Sequence, residues 1–426
     1  MEPTDFLQEL RWRGLLHQVT DLETAQNALK QPGCVAYIGF DPTADSLHVG
    51  SLLQIVTLMR FKLAGHQPIA LIGGGTGLIG DPSGKTAERK LLDDASAQQN
   101  AQAIRQQILE ITQKNQVDID FSDNLEWLGP AQLIPFLRDV GKFFSVNAMV
   151  QRDSVRTRLE AREQGISYTE FSYMLLQAYD FLELYRRRQC RAQLGGSDQW
   201  GNIVSGVDLI GRLETDAVEK PAFGVTIPLI TSKSGQKFGK TEAGTIWLDP
   251  KRTSPYQFYQ FWMNVDDADV LAYLKFFTFF TETKIAEFSQ RLAAQPELRE
   301  CQVQLAHTVT ALVHGEKAAG LAGVASKILF GMDPNGAHVG VFDELLRFEL
   351  PTHQTTKDAP LLAILVGENR PFLSNGEAKR GLQSGAVSVN GQKRRLEDLH
   401  EPIDWLHDRF ALIKFGKKFF LADAGA

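Results

Sequence analysis

The sequence predicts an α/β fold built on a parallel sheet, followed by a helical region and a small module at the carboxyl end. Over the first 115 residues, short apolar runs alternate with segments of helical spacing, which is typical of a parallel α/β sheet. From about residue 250 to residue 330 only helical spacing is found. A polar stretch at 351–359 then predicts a linker to a separate module at 360–426.

The first region is predicted element by element, from apolar periodicity and from glycine and proline stops. In chain order, the predicted elements are a helix at 5–30, a strand at 34–40, a helix at 51–64, a strand at 68–72, a glycine-rich loop at 73–84 and a helix at 87–115. Further helices are predicted within 130–220, and a strand leading into a lysine-rich segment, here called the lysine loop, at 229–241.

Composition and charge exclude several protein classes. A chain of 426 residues with 43% hydrophobic and 23% charged residues has an ordinary globular balance. The net charge of −6 argues against a uniformly basic nucleic-acid coat, but it does not exclude a local RNA-binding patch. Three scattered cysteines indicate neither a disulfide framework nor a structural zinc site. No signal peptide and no apolar run of roughly 20 residues is found, so we expect a cytoplasmic protein.

Two patterns in the glycine-rich loop suggest nucleotide-binding folds that the neighbouring residues exclude. Gly75–Gly80 matches G-x-G-x-x-G, but Asp81-Pro82-Ser83-Gly84 follows where a dinucleotide-binding fold needs a helix. Ser83-Gly84-Lys85-Thr86 imitates the end of a P-loop, yet Ile79 stands where that motif needs glycine. We interpret the loop as backbone that approaches a ligand closely.

Tyr173, Gln177 and Asp180 are spaced to lie in line on one face of a helix. The residues around them are mostly apolar, so the helix is predicted to be buried. A polar stripe on a buried helix is either an internal hydrogen-bond network or the wall of a pocket for a polar small molecule. The spacing alone leaves both interpretations open.

Three further segments carry candidate functional residues. Leu47–Ser51 lies where the first strand passes into its helix, a place that suits phosphate and ribose. Gly195–Gly201 combines small and polar residues at a predicted strand end, which suits ribose contacts or a simple turn. Lys233, Lys237 and Lys240 form either a solvated surface or a set of cations that follows phosphate charge during a reaction.

Taken together, these segments make the chain resemble the bacterial tyrosyl-tRNA synthetases, which are class I aminoacyl-tRNA synthetases. The matching segments are Tyr37–Thr43, Gly80–Gly84, Thr169–Tyr173, Gln177–Asp180, Gly195–Asn202 and Lys237–Thr241. The resemblance implies a Rossmann-like catalytic domain at 1–245 with an inserted dimer-interface region near 130–170. It also implies an α-helical tRNA-binding domain at 246–350 and an S4-like RNA-binding domain, of α+β type, at 360–426.

The resemblance assigns residues to two substrate sites. The implied tyrosine site consists of Tyr37, Asp81, Tyr173, Gln177, Asp180 and Gln199. Tyr37 and Asp180 would hold the phenol hydroxyl, and the ammonium would face Asp81, Tyr173 and Gln177. The implied ATP site consists of Asp41, Thr43, His48, Gly50, Gly196, Asp198 and Lys240.

The implied reaction is in-line attack of the tyrosine carboxylate on the α-phosphate of ATP, followed by transfer of tyrosine from the adenylate to tRNA. No protein nucleophile is needed, so catalysis would come from positioning and charge stabilisation. The implied catalytic residues are His48, Ser51, Lys237, Lys240, Thr241, Lys85 and Arg89. Mg²⁺ would accompany ATP, and no metal held by the protein itself is expected.

The chain departs from the family pattern at two positions. Ser51 stands where the family usually has the second histidine of its first signature, so a hydroxyl replaces an imidazole. We expect activity to be retained, with a weaker contribution to transition-state stabilisation from this position. Ile38 stands where close relatives often place a cysteine near the ribose, so that contact would be missing.

The carboxyl-terminal module resembles an S4-type RNA-binding domain. Residues 357–418 contain 11 Lys/Arg and 8 Asp/Glu, so this segment carries a charge of +3 in a chain of −6. Clustered cations near a turn suit phosphate contacts. The candidate RNA-binding residues are Lys379, Arg380, Lys393, Arg394 and Arg395.

Two alternatives remain open from the sequence. The same enzyme class with another amino acid, chiefly tryptophan, is disfavoured by Tyr37 with Asp180, which suit a phenol. A non-enzymatic RNA-binding relative is supported only by Ser51. The expected partners are L-tyrosine, ATP, tRNA(Tyr) and a second copy of the chain.

Overall fold

The computed structural model describes residues 5–83, 92–152, 155–156, 159, 165–230, 238–241 and 244–425. These residues form two compact units. The first comprises Met1–Thr253 with Val265–Cys301, and the second comprises Ser254–Asn264 with Gln302–Ala426. Among the helices of these ranges, none is long and apolar enough to cross a membrane.

The strands belong to two main sheets and one short hairpin. They are β1 (Gln18–Val19), β2 (Val35–Phe40), β3 (Gln67–Ile72), β4 (Asp120–Asp123), β5 (Cys190–Gly196), β6 (Phe223–Ile227), β7 (Lys240–Thr241), β8 (Gly244–Thr245), β9 (Thr352–Gln354), β10 (Val387–Val389), β11 (Gln392–Lys393), β12 (Phe410–Phe415) and β13 (Lys418–Asp423).

The helices precede, connect and follow these strands. They are α1 (Phe6–Arg13), α2 (Leu22–Leu29), α3 (Val49–Leu63), α4 (Asp94–Lys114), α5 (Leu125–Leu128), α6 (Leu133–Asp139), α7 (Val146–Val150), α8 (Tyr168–Arg188), α9 (Trp200–Leu213), α10 (Pro255–Met263), α11 (Asp267–Phe277), α12 (Glu282–Ala294), α13 (Glu300–His314), α14 (Glu316–Leu329), α15 (Arg347–Glu349), α16 (Leu361–Leu365) and α17 (Asn375–Gln383). A π-helical segment, Val341–Leu346, precedes α15.

The first unit contains a six-stranded sheet in the order β1-β6-β5-β2-β3-β4. The four pairings from β6 to β4 are all parallel, and β1 pairs antiparallel with β6 at the edge. From β2 the chain continues to β3 on one side and later to β5 on the other. The strand order therefore reverses at β2, and ligands of such sheets bind in the crevice beyond the carboxyl ends of the strands at this point.

Most predicted elements of the first unit are confirmed. The strand predicted at 34–40 is β2, the helix at 51–64 is α3, and Gly65 follows it with a φ of +89°. The single helix predicted at 5–30 is wrong, because Gly14 in the left-handed region ends α1 and the chain then pairs with β6 as β1 before α2 begins. The predicted helix at 87–115 appears as α4 from Asp94 onward.

The strand expected to enter the lysine loop lies earlier than predicted. It is β6, ending at Ile227, and residues 229–230 are not part of a strand. Within 130–220, where mainly helices were predicted, β5 is the strand whose end was predicted at Gly195, and β6 follows at Phe223–Ile227. Both are almost entirely buried, and short fully buried strands are hard to distinguish from buried helix by periodicity.

The helical spacing predicted from about 250 to 330 is confirmed, and its helices are divided between the two units. The second unit also contains a five-stranded sheet in the order β11-β10-β12-β13-β9. The prediction of a linker at 351–359 needs correction, because part of this segment is the strand β9, which pairs in parallel with β13. The apolar core of this unit joins α16 and α17 to β10 and β12 through buried side chains such as Leu365, Leu382 and Ile413.

Candidate active site

Tyr37 on β2 and Asp180 on α8 lie in the protein interior, with exposures of 1% and 2%. The Tyr37 hydroxyl is enclosed and has no hydrogen-bond partner among the described residues. Burial, and then the nearby Asp180 carboxylate, raise the pKa of Tyr37 well above its ordinary value, so the hydroxyl keeps its proton. A buried hydroxyl without a partner is unfavourable, so this point suits a polar group of a ligand.

Two donors that the sequence analysis missed hold Asp180. The Trp127 indole Nε1 donates to one carboxylate oxygen at 2.7 Å, and Asn124 Nδ2 donates to the other at 3.0 Å. Burial nevertheless raises the pKa of Asp180 to about 8. Asn124 and Trp127 come directly after β4, and this position at the carboxyl end of a parallel strand is the signal that could have found them.

Asn124 also connects Asp180 to Asp41. Its Nδ2 donates to Thr76 Oγ1 at 2.8 Å, and the Thr76 hydroxyl donates to Asp41 Oδ1 at 2.8 Å. The Tyr173 hydroxyl donates to Asp41 Oδ2 at 2.8 Å. Asp41 was predicted for the ATP side, and the structure places it in hydrogen-bond contact with a residue predicted for the tyrosine side.

The glycine-rich loop fits closely against this network. A Cβ at Gly73 would lie 2.2 Å from Asp41 Oδ1, and a Cβ at Gly74 would lie 2.3 Å from Asp123 Oδ1. Residues Thr76–Leu78 form one short 3₁₀ turn instead of opening an α-helix. The absence of an α-helix at this point argues against a dinucleotide-binding turn, and the backbone lies close to two carboxylates, while its approach to a ligand stays a prediction.

The residues expected around the ammonium form a second hydrogen-bonded set. Gln199 Nε2 donates to Asp81 Oδ2 at 2.9 Å, and Gln177 Nε2 donates to Gln199 Oε1 at 3.2 Å. Asn202, which the sequence analysis did not assign, donates to Gln177 Oε1 at 2.8 Å. This set is rich in oxygen acceptors and includes a nearly buried carboxylate, an arrangement that suits a cation with several N–H donors.

Tyr173 lies between the two sets. Its pKa is raised well above the ordinary value by burial first, and then by the negative charges of Asp41 and Asp81. The helical spacing predicted for Tyr173, Gln177 and Asp180 is confirmed, because all three lie on α8. All three side chains form hydrogen bonds to residues of other segments, so the internal network is present, and a further role as the wall of a ligand pocket stays a prediction.

His48 is the N-cap residue of α3. Its Nδ1 accepts a hydrogen bond from the Gly50 N–H at 3.0 Å, so a neutral ring carries its proton on Nε2. His48 is exposed and Ser51 is half-buried in the first turn of the same helix. The N–H groups of Val49, Gly50 and Ser51 are already bonded, to Ile246 O, His48 Nδ1 and His48 O, so it is the helix dipole that favours an anion at this helix start.

The end of the lysine loop lies against this helix start. Gly239 has a φ of +79°, and a Cβ there would lie 2.5 Å from Val49 Cγ1. Ile246 N donates to Gly239 O at 3.0 Å, and Val49 N donates to Ile246 O at 2.9 Å. The backbone of the Leu47–Ser51 segment and the end of the lysine loop are therefore close together, although almost 200 positions of sequence separate them.

Of the remaining predicted residues, some lie within the described ranges and others lie outside them. Gly196 ends β5, where a Cβ would lie 2.5 Å from Asp198 Oδ1, and Thr43 is exposed. Lys85, Arg89 and Lys237 lie outside the described residues. The backbone of Lys240 and Thr241 forms β7, which pairs with β8.

No group of three or more His, Cys, Asp or Glu side chains within the described ranges is placed to hold a metal ion.

The candidate RNA-binding residues lie on two elements of the second unit. Lys379 and Arg380 are exposed on α17, and Lys393 is exposed on β11. Lys393 and Lys414 both pair in register with Ser388, one from each side, so they lie in one row across the sheet. Arg394 is partly buried, whereas the exposed Arg395 lies 3.6 Å from Glu397.

Comparison with known families agrees with this geometry. The family model described as tRNA synthetases class I (W and Y) matches residues 30–331. A second model, described as the tyrosine–tRNA ligase SYY-like C-terminal domain, matches residues 343–422.

Individual relatives cover nearly the whole chain. The chain is 45% identical over 419 residues to tyrosine–tRNA ligase 1 of Bacillus cereus, covering 97% of this chain and 99% of that one. It is 47% identical over 420 residues to the tyrosine–tRNA ligase of Geobacillus kaustophilus, covering 97% and 98%.

A solved structure supports the same relationship. The C-terminally truncated mitochondrial tyrosyl-tRNA synthetase of Aspergillus nidulans matches with a TM-score of 0.68 and 30% identity, covering 77% of this chain and 94% of that one. The chain belongs to the family of class I tRNA synthetases for tryptophan and tyrosine.

Proposed function

We propose that the chain is a tyrosine–tRNA ligase, which activates L-tyrosine with ATP and transfers the tyrosyl group to the 3′ end of tRNA(Tyr). The observation that carries the choice of amino acid is the enclosed Tyr37 hydroxyl, which has no partner among the described residues and lies beside Asp180. Relatives at 45–47% identity are named tyrosine–tRNA ligases.

The phenol of the substrate would be recognised by Tyr37 and Asp180. Phenylalanine would leave the buried Tyr37 hydroxyl unpaired, whereas a phenol oxygen would satisfy it. A site built to bond a hydroxyl strongly rejects the analogue that lacks it, and tyrosyl-tRNA synthetase is itself the standard example of this principle. Asn124 and Trp127 fix the Asp180 carboxyl group, so it does not have to reorganise when the substrate binds.

The ammonium of the substrate would face Asp81, Gln177 and Tyr173. Asp81 is held by Gln199, and Gln177 is held by Asn202, so the acceptors are fixed before binding. Holding both ends of the amino acid would bring its carboxylate to the carboxyl ends of β2 and β5, where the strand order reverses. This is where the ATP α-phosphate must lie for in-line attack.

Activation would then depend on positioning and charge. His48, Gly50 and Ser51 at the start of α3 would receive phosphate and ribose, with the His48 Nε2–H as one donor. Lys237, Lys240, Thr241, Lys85 and Arg89 would neutralise the departing pyrophosphate, as the family resemblance implies. Thr43, Gly196 and Asp198 would line the rest of the ATP site. Mg²⁺ would arrive bound to the ATP phosphates, which supply the oxygen ligands it prefers.

Transfer to tRNA would involve the second unit. Lys379, Arg380 and Lys393 are exposed, and we propose that they contact tRNA phosphates together with Arg394 and Arg395. We further propose the cytoplasm as the site of this reaction, and we propose a catalytic domain at 1–245, a helical tRNA-binding domain at 246–350 and an S4-like domain at 360–426. The parallel pairing of β9 with β13 supports joining part of the intervening segment to the last of these.

We propose that the active form is a homodimer joined through the region near 130–170. Large apolar side chains are exposed there, namely Leu133, Ile134, Leu137, Val146, Val150 and Tyr168. A cavity of about 230 Å³ opens beside them and is lined by residues that include Phe143, Phe144 and Met149. Large apolar side chains exposed within one segment of the chain are expected at a protein–protein interface.

Tyrosine-dependent exchange of pyrophosphate into ATP tests the proposed function. We expect exchange with tyrosine and none above background with phenylalanine or tryptophan at the same concentration. Exchange driven by tryptophan would instead favour the tryptophan enzyme, and the absence of exchange with every amino acid would favour a non-enzymatic relative.

A further inference from the structure

Two arginines converge on the end of one helix in the first unit. Arg60 Nη2 donates to Lys275 O at 3.1 Å and to Thr278 O at 2.8 Å. Arg13 Nη1 donates to the same two carbonyls at 2.8 Å and 3.1 Å, and Arg13 Nη2 donates to Phe280 O at 2.8 Å. Both guanidinium groups therefore hold the carboxyl end of α11, where the helix dipole favours positive charge.

This arrangement places positive charge in the interior. Arg60 is fully buried, and its Nε and Nη1 have no hydrogen-bond partner among the described residues. Arg13 has an ion pair with Glu9, at 2.7 Å. Burial lowers the pKa of Arg60 well below its ordinary value, and the nearby Arg13 lowers it further. Buried cations are unfavourable unless acceptors compensate them, and here the acceptors are the carbonyls at the carboxyl end of α11.

Helix α11 also contacts the lysine loop. The Phe238 ring stacks on Phe277, with centroids 5.6 Å apart and an interplanar angle of 14°. It also meets Tyr273 edge-on at 5.2 Å. Tyr273 and Phe277 are both buried, so their positions follow that of α11. Aromatic pairs of this geometry have defined directions, and they fix the loop at Phe238.

Phe238 directly precedes Gly239, which lies against Val49 at the start of α3. Arg60 belongs to the last turn of the same helix. A closed series of contacts therefore runs along α3 from Val49 to Arg60, through α11, and back through Phe238 to Val49. It leaves Phe238 little freedom to shift relative to His48.

We propose that Arg13, Arg60 and Phe238 are positioning residues for tyrosine activation, which hold the lysine loop in register with the start of α3 through helix α11. This inference rests on the proposed function. The three residues touch no substrate in the proposed reaction. They act on where the backbone of Lys240 and Thr241 lies, and a displacement of about 1 Å in reacting groups is worth up to roughly 100-fold in rate.

The test uses the full-length enzyme in tyrosine-dependent pyrophosphate exchange. The variants are Phe238→Ala, Phe238→Leu, Arg60→Lys and the double variant Arg60→Lys with Phe238→Ala. Phe121→Ala is the matched control, because Phe121 is, like Phe238, a half-buried ring of the first unit, and it lies on β4 beside Arg105. Arg13→Lys replaces Arg60→Lys if the latter does not accumulate as folded protein.

We expect Phe238→Ala to lower kcat about 10- to 100-fold while the KM for tyrosine stays within about twofold, since the tyrosine site is untouched. Phe238→Leu should restore part of kcat, and Phe121→Ala should retain it. The double variant should be no worse than its poorer single variant, because both changes act through α11.

Two results would overturn the inference. One is a kcat of Phe238→Ala within about twofold of wild type. The other is a double variant whose loss equals the product of the two single losses, which indicates independent action. Both results are measured against exchange by the wild-type enzyme. Absence of exchange by the wild-type enzyme contradicts the proposed function itself.

Discussion

Asp180→Asn is expected to change how the stability of the first unit depends on pH. The pKa of Asp180 is raised from 3.8 to about 8, chiefly by burial. The folded protein therefore keeps this proton up to about pH 8, whereas the unfolded chain releases it near pH 4. Between these values the folded state binds more protons, so this residue lowers the free energy of unfolding as the pH rises.

The magnitude follows from the size of the shift. Each pKa unit corresponds to about 1.4 kcal/mol, so the unfavourable contribution reaches about 6 kcal/mol above pH 8. Asparagine removes it but has one acceptor oxygen for the two donors Asn124 and Trp127, and the unpaired donor costs about 1–3 kcal/mol. The variant should be less stable than wild type near pH 4 and more stable above roughly pH 6.

The assay is denaturant unfolding of both proteins followed by tryptophan fluorescence from pH 5 to pH 8. The stability difference should grow by about 1.4 kcal/mol per pH unit in favour of Asp180→Asn. Asp139→Asn serves as the control, because Asp139 is exposed beside Arg138 and its pKa is lowered, so it stays ionised throughout this range. A difference for Asp180→Asn that does not vary with pH would refute the reasoning.

Three further predictions concern the phenol site, the role of Ser51 and the binding of tRNA. Tyr37→Phe should lower kcat/KM for tyrosine about 2- to 12-fold without changing the KM for ATP, because one neutral hydrogen bond is lost; unchanged selectivity against phenylalanine would count against the phenol assignment. Ser51→His should raise the activation rate measured by pyrophosphate exchange, and an unchanged rate would show that this position contributes nothing. Lys379→Ala combined with Arg380→Ala should raise the KM for tRNA in aminoacylation while leaving exchange intact, and an unaltered KM would argue against phosphate contacts by α17.

Helical spacing alone placed Tyr173, Gln177 and Asp180 on one face, and α8 confirms it. Such spacing is a local property of the sequence, so a single chain reveals it. It could not reveal Asn124, Trp127 or Thr76, because their roles arise from hydrogen bonds that join distant segments.

Other differences between prediction and structure have the same origin. The three-residue strand β9 is too short to show alternation, so its sequence predicts a polar linker. Only its pairing with β13 identifies it as a strand. Asp41 belongs to a segment that matches the family, yet its bond to Tyr173 depends on how the sheet brings β2 beside α8. Nothing in the spacing of Arg13 or Arg60 indicates that both meet the end of α11.

A crystal structure of the protein with bound L-tyrosine tests the central claim most directly. The account predicts the phenol oxygen within about 3 Å of both the Tyr37 hydroxyl and an Asp180 carboxyl oxygen, with the ammonium facing Asp81 and Gln177. A tyrosine ring bound elsewhere, or a phenol oxygen beyond hydrogen-bond distance of Tyr37 and Asp180, would contradict it.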